Sequence, residues 1–204
     1  NSVNTGGAPN AFSEISGHPD SKWGGSVMAA LQIKNIPTGP GDDFKIDVSY
    51  AKGNTKNVIS TSGGSPSFAM FGGTDRIGAY QSIGFGQTSD AVFLPGFLTG
   101  GATGDIKLTE AWGVRGAFNH NWDPFWSTSF WGSYAGVRYN GDAFDILSAK
   151  GQFCASFNFG KTRSSDYSCN PDFNIAQVGM VTRWTPVKNL TFSGEVGAFF
   201  LDQK

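Results

Sequence analysis

The sequence predicts an all-β chain built as an antiparallel transmembrane β-barrel. Three observations predict it. Apolar residues recur at every second position in several stretches, the period of a strand with one apolar face. The connections between those stretches alternate between short turns and long excursions. Tryptophan and phenylalanine collect at the short-turn ends, where a soluble protein keeps polar residues.

Taken in chain order, "SVMAALQIK" sets Val27, Ala29, Leu31 and Ile33 against Ser26, Gln32 and Lys34. "FKIDVSYA" sets Phe44, Ile46, Val48 and Tyr50 against Lys45, Asp47 and Ser49. In "KLTEAWGVRGAFNHNWDPFW", Leu108, Trp112, Val114, Phe118 and Trp122 share one parity, and Thr109, Arg115 and Asn119 the other. "STSFWGSYAGV" is less regular: Ser127, Ser129 and Ser133 share a face with Trp131, and Phe130 and Tyr134 share the opposite one. "NIAQVGMVTRW" sets Ala176, Val178, Met180 and Trp184 against Gln177, Gly179 and Arg183. "LTFSGEVGAFF" sets Leu190, Phe192, Val196 and Phe200 against Thr191, Ser193 and Glu195. Six strands are predicted near 24–34, 43–52, 107–120, 126–139, 173–185 and 190–201. Leu108, Val114, Phe118, Val178, Met180 and Phe192 are expected to face outward. Helix signals are few, because Gly and β-branched residues interrupt most windows.

Between the strands, "NIPTGPGDD", "NWDP" and "TPVKN" are turn-like. The intervals 53–106 and 140–171 are long, and the reading makes them extracellular loops opposite periplasmic turns. The strands have about the 9–11 residues that a tilted membrane strand requires. A closed barrel also pairs every backbone N–H and C=O within the bilayer. On this reading Trp122, Phe125, Trp126 and Trp184 form an aromatic girdle at the interface. A soluble β-sandwich would alternate too, but it does not account for aromatic ends joined to loops of unequal length.

Composition sets further limits. The 204 residues carry 15 basic and 16 acidic side chains, a balance that offers no electrostatic case for nucleic acid. Gly (29), Phe (18) and Trp (6) are abundant, as a chain rich in turns and aromatic girdles needs. No apolar run reaches the roughly 18 residues of a membrane helix. The N-terminus does not read as a signal peptide, so the chain is expected to be a mature product or a fragment. Cys154 and Cys169 flank the polar segment "GKTRSSDYS" and suit one disulfide in an oxidising compartment, with two free thiols as the alternative.

Catalytic and metal motifs fail. "FGKT" (Phe159 to Thr162) lacks the glycine that a phosphate loop needs, since Ala155 stands there. "GFGQTS" lacks the third glycine of a dinucleotide loop. His18 and His120 are the only histidines, and His120 has no carboxylate or Cys at ligand spacing, so it is expected as a polar residue at a strand end. No serine is marked as a nucleophile for it. No catalytic residue, cofactor or metal is assigned. The candidate functional residues are charges on the polar faces: Lys45, Asp47, Arg115, Arg183 and Glu195, which in a water-filled barrel would set ion preference. Arg138, at a strand end, could instead meet lipid phosphate.

The segments "SGHPDSKWG", "KLTEAWGVRGAFNHNWDPFWSTSFWGSY" and "CNPDFNIAQVGMVTRWTPVKNLTFSGEVGAFFLDQ" closely resemble the porins of alphaproteobacteria, in particular the Bradyrhizobium and Rhodopseudomonas group. The resemblance covers nearly the whole chain and is sharpest from Asp105 onward. It implies a segment of a sixteen-stranded, homotrimeric outer-membrane barrel, set among outer-membrane lipid and lipopolysaccharide and open to passive diffusion of ions and small hydrophilic solutes. It also implies that the third extracellular loop, which folds into the pore, lies outside this sequence. A small barrel of about eight strands is the alternative, and it needs a membrane hairpin from "SFAMFGG" and "AYQSIGFG" within 67–98. The other function class is a plugged small barrel or a soluble β-sandwich with a binding or structural role.

Overall fold

The computed structural model describes residues 19–59, 67–72, 82–94, 104–142, 145, 147–151, 154 and 170–204. Ten strands run through them: β1 (Gly25–Lys34), β2 (Asp43–Lys52), β3 (Ser67–Gly72), β4 (Ser82–Gln87), β5 (Ala91–Leu94), β6 (Asp105–Leu108), β7 (Glu110–Asn121), β8 (Trp126–Arg138), β9 (Phe173–Val187) and β10 (Leu190–Gln203). Six of them, β1-β2-β7-β8-β9-β10, form one sheet in which each pairs antiparallel with its neighbour. β1 and β10 are its two edges, and neither pairs with a further strand among the described residues.

The register explains why period two in the sequence becomes two chemically distinct faces. One row runs Ala29, Val48, Val114, Tyr134, Ala176 and Phe200 across the six strands. The next row, one residue along, runs Ala30, Asp47, Arg115, Ser133, Gln177 and Phe199. A slip of one residue in any pair would exchange the faces, so the pattern fixes the pairing. The apolar face stands open: Val27, Leu31, Val178, Val196 and Phe200 are each more than half exposed.

All short connections lie at one end of this sheet. Residues 35–42 join β1 to β2, 122–125 join β7 to β8, and 188–189 join β9 to β10. Each turn has a local cause. Asp123 Oδ1 accepts the N–H groups of Phe125 (2.7 Å) and Trp126 (2.9 Å), and the Trp122 N–H donates to Trp126 O at 3.0 Å. Asn189 closes the two-residue loop at φ 69°, a left-handed conformation that Asn tolerates better than most residues.

At the other end the polar face becomes apolar and is covered. The row Ala51, Ala111, Val137 and Phe173 is wholly buried. Val58 and Ile59 fold back from β2 onto this face, with Val58 against Gly113 and Ala135. Thr55 anchors them, its N–H and hydroxyl both donating to Asp90 Oδ1 at 2.7 and 2.9 Å. Lys150 pairs with Asp172 at 2.6 Å, and the Tyr139 N–H donates to the same carboxylate at 2.8 Å. A connecting segment thus folds onto this face of the sheet.

One expectation needs correction. The strand expected over 107–120 is broken at Thr109. There Gly53 N–H donates to Thr109 O (2.8 Å) and Thr109 N–H to Asp90 O (3.0 Å), so β6 leaves the large sheet and pairs with β5. Leu108 accordingly packs on Gly53 instead of continuing the open apolar face. The hairpin considered within 67–98 is β3 paired with β4, a separate two-stranded sheet of six-residue strands.

Candidate functional site

The polar face of the six-stranded sheet carries the charged residues picked out by alternation. Asp47 and Arg115 sit opposite each other on β2 and β7 and form an ion pair, with Nε to Oδ1 and Nη2 to Oδ1 both at 2.9 Å. Lys45 Nζ lies 3.1 Å from Asp43 Oδ2, on its own strand. Arg183 on β9 reaches across to β8, where Nη1 donates to Ser129 Oγ at 2.9 Å, and Ser129 donates on to Asn119 Oδ1 at 2.7 Å. Glu195 lies opposite Val181 on the same face, and among the described residues no ion pair joins it to Arg183.

Two adjoining recesses follow. One, of about 320 Å³, is lined by Lys45, Asp47, Arg115, Trp131, Ser133 and Gln177. The second, of about 350 Å³, is lined by Asp43, Lys45, Asn119, Ser129 and Arg183. Four of the five predicted charges thus line recesses on one face, and Glu195 lies beyond them toward the β10 edge. Trp131 was legible as sharing the face of the serines, but nothing in the sequence alone singled it out.

The apolar face ends in rings. Trp126 stacks on Trp184 with centroids 5.6 Å apart, and Trp184 on Phe192 at the same separation. Trp122 donates its indole N–H to Thr128 Oγ1 at 2.9 Å and meets the His120 ring edge-on at 4.3 Å. Phe125 is exposed in its turn, and its carbonyl accepts from Thr185 N–H at 2.8 Å. Toward the opposite end Tyr50, Trp112 and Tyr134 occupy the same face, with Trp112 and Tyr134 5.3 Å apart. This second belt was not assigned from sequence, although its even parity carried the signal. From Trp126 to Tyr134 the strand climbs about 26 Å at the usual rise per residue.

His120 has a partner that spacing could not reveal. Its Nδ1 lies 2.6 Å from Oδ2 of Asp42, a wholly buried carboxylate in the turn between β1 and β2. Thr38 Oγ1 donates to Asp42 at 2.6 Å and the Asn121 N–H at 2.9 Å. Burial pushes the Asp42 carboxyl up, but these hydrogen bonds and the His120 ring prevail and hold it at about 2. The cluster ties two neighbouring strand pairs together at the turn end. Arg138 is engaged inside the protein, donating to the carbonyls of Val137 (2.8 Å) and Phe173 (2.9 Å) and to Asn174 Oδ1 (2.5 Å). Cys154 is buried, and Cys169 lies outside the described residues. No group of three or more His, Cys, Asp or Glu that could hold a metal occurs among the described residues.

Two faces of opposite chemistry, strands of membrane-spanning length and turns gathered at one end are the features of a channel wall. A family model described as "Porin subfamily" matches residues 2–204. No curated protein and no solved structure matches the chain. With the family match running over almost every residue of this antiparallel, almost helix-free fold, the chain belongs to the porin family.

Proposed function

We propose that the chain builds part of the wall of a water-filled outer-membrane channel for passive diffusion of ions and small hydrophilic solutes. One observation carries the reading. A continuous, exposed apolar face bounded by aromatic rings backs directly onto a face lined by Lys45, Asp47, Arg115 and Arg183. Water does not tolerate the first as a free surface, and lipid does not tolerate the second. On this reading the apolar face meets lipid, the polar face lines the lumen, and Glu195 extends the lining toward β10. The short turns are periplasmic, and 53–106 and 140–171 lie on the extracellular side beside lipopolysaccharide. The six strands would form part of a larger closed barrel within a homotrimer, as in the porins that the sequence resembles.

Further details belong to the same reading. Trp122, Phe125, Trp126 and Trp184 form the periplasmic girdle, and Tyr50, Trp112 and Tyr134 the outer one. Cys154 and Cys169 close a loop that would add about 3 kcal/mol in the chain-entropy model. That no free cysteine occurs among the described residues favours the bridge. A barrel with a filled interior is a second reading, and the Val58 and Ile59 segment packed on the polar face favours it. Reconstitution of the intact porin in planar bilayers decides between them. The channel reading expects stepwise KCl conductance, whereas a filled barrel inserts without conducting.

A further inference from the structure

We infer that the recess beside Trp131 is a binding subsite for neutral sugars. The inference rests on the channel reading and names a solute class for it. Trp131 is an indole on the polar face, where alternation favours small or hydrophilic residues. Its ring lies over two glycines in register on the next two strands, Gly179 and Gly197. A Cβ at Gly179 would come within 2.5 Å of the ring, and one at Gly197 within 3.2 Å. The two glycines therefore clear a bed on which the indole rests, with backbone beneath it and the recess of about 320 Å³ beside it.

The remaining lining decides what fits. Arg115 is paired with Asp47 inside the recess, and Lys45 with Asp43 just outside its lining, so each cation there already has a carboxylate partner. A net-charged solute gains little from paired charges and must compete with them. Asp47 offers acceptors, Arg115 donors, and Ser133 and Gln177 both. A hydroxyl donates and accepts together, so a polyol matches this mixture. A pyranose adds a C–H face that can lie on the indole while its hydroxyl edge meets the polar groups. The volume is near the lower end for small-molecule sites, which suits one sugar ring.

The test is inhibition of KCl current through the intact porin in planar bilayers. The probe is maltose, and the control is hexaethylene glycol, a flexible chain of hydroxyl-and-ether character without a ring face. Maltose is expected to lower the current saturably and hexaethylene glycol to leave it largely unchanged. Trp131→Ala should weaken the maltose effect about tenfold, and Trp131→Phe should retain part of it. If Trp131→Ala fails to assemble, Gln177→Ala reads the polar side of the recess, with an expected weakening of about threefold. Equal inhibition by both probes, or a maltose effect that neither substitution changes, overturns the sugar subsite while the channel stands. Inhibition by phenylalanine but not maltose would reassign the ring to aromatic solutes and overturn it too. Absence of KCl conductance would overturn the channel reading, and the subsite with it.

Discussion

The two ends of the sheet are built by different physics. At the short-turn end each turn is shaped by residues close in sequence, with Asp123 capping its own turn and Asn189 supplying a left-handed residue, while exposed rings and the Asp42–His120 contact reach from one strand pair to the next. At the long-connection end, order comes from residues far apart: Val58 on Gly113, Thr55 on Asp90, Lys150 on Asp172. The same face that carries Asp47 and Arg115 in mid-sheet carries Ala51, Ala111, Val137 and Phe173 at this end, all wholly buried. The lesson is that the face is not polar along its whole length. It is polar where it is open and apolar where connecting segments fold onto it, and a side chain's parity alone does not tell which applies.

The largest effect is expected where the long connections meet the sheet. Phe173 is wholly buried and touches Gly86 of β4. Phe173→Ala leaves a cavity there and should cost about 3–5 kcal/mol. Denaturant titration of the folded protein checks the size, and faster proteolysis near β4 checks the place. A loss like that of an exposed-site substitution would mean that this end is not a packed unit.

At the turn end, Asp42 is the corresponding anchor, and Asp42→Ala should lower the thermal midpoint by less than Phe173→Ala does. It removes acceptors for Thr38, Asn121 and His120 at once. The pH dependence has a definite sign. The folded carboxyl is depressed to about 2, below its ordinary value, so its contribution is complete above about pH 4 and is lost as pH falls through about 2. Acid titration of the thermal midpoint should show wild type losing stability over that window more than Asp42→Asn. Parallel curves would mean that the carboxylate is not the group that holds the turn.

A smaller effect is expected at Asn189. Asn189→Ala removes the short polar side chain that lets asparagine tolerate a left-handed conformation and should cost about 1 kcal/mol, whereas Asn189→Gly should be close to neutral. Equilibrium unfolding of the two variants side by side sharpens the comparison, since this two-residue turn is predicted to yield to local backbone chemistry alone.

This contrast also explains what could be read from the sequence. The six strands of the sheet, their faces and their turns were legible because alternation and turn residues act over a few positions. The strand at 107–120 was misread at Thr109, because the signal for leaving the sheet is a pair of backbone bonds to Gly53 and Asp90, both far off in the chain. Within the site, Lys45, Asp47, Arg115 and Arg183 were legible by parity. The Asp47–Arg115 and Asp42–His120 pairs were not, because they depend on which strand lies beside which. Arg138 was read as a strand-end partner for lipid phosphate, and its guanidinium donates to Val137, Phe173 and Asn174 for the same reason of strand adjacency.

The central claim is that one face of the sheet meets lipid and the other meets water. Nitroxide labels placed singly at Val114, Val178, Arg115 and Gln177 in the bilayer-reconstituted protein test it most directly. Their collision rates with oxygen, which concentrates in lipid, and with a water-soluble nickel chelate report the surroundings. The account predicts that labels at Val114 and Val178 respond to oxygen and those at Arg115 and Gln177 to the chelate. Chelate access at Val114 and Val178, with oxygen access at Arg115 and Gln177, would contradict it.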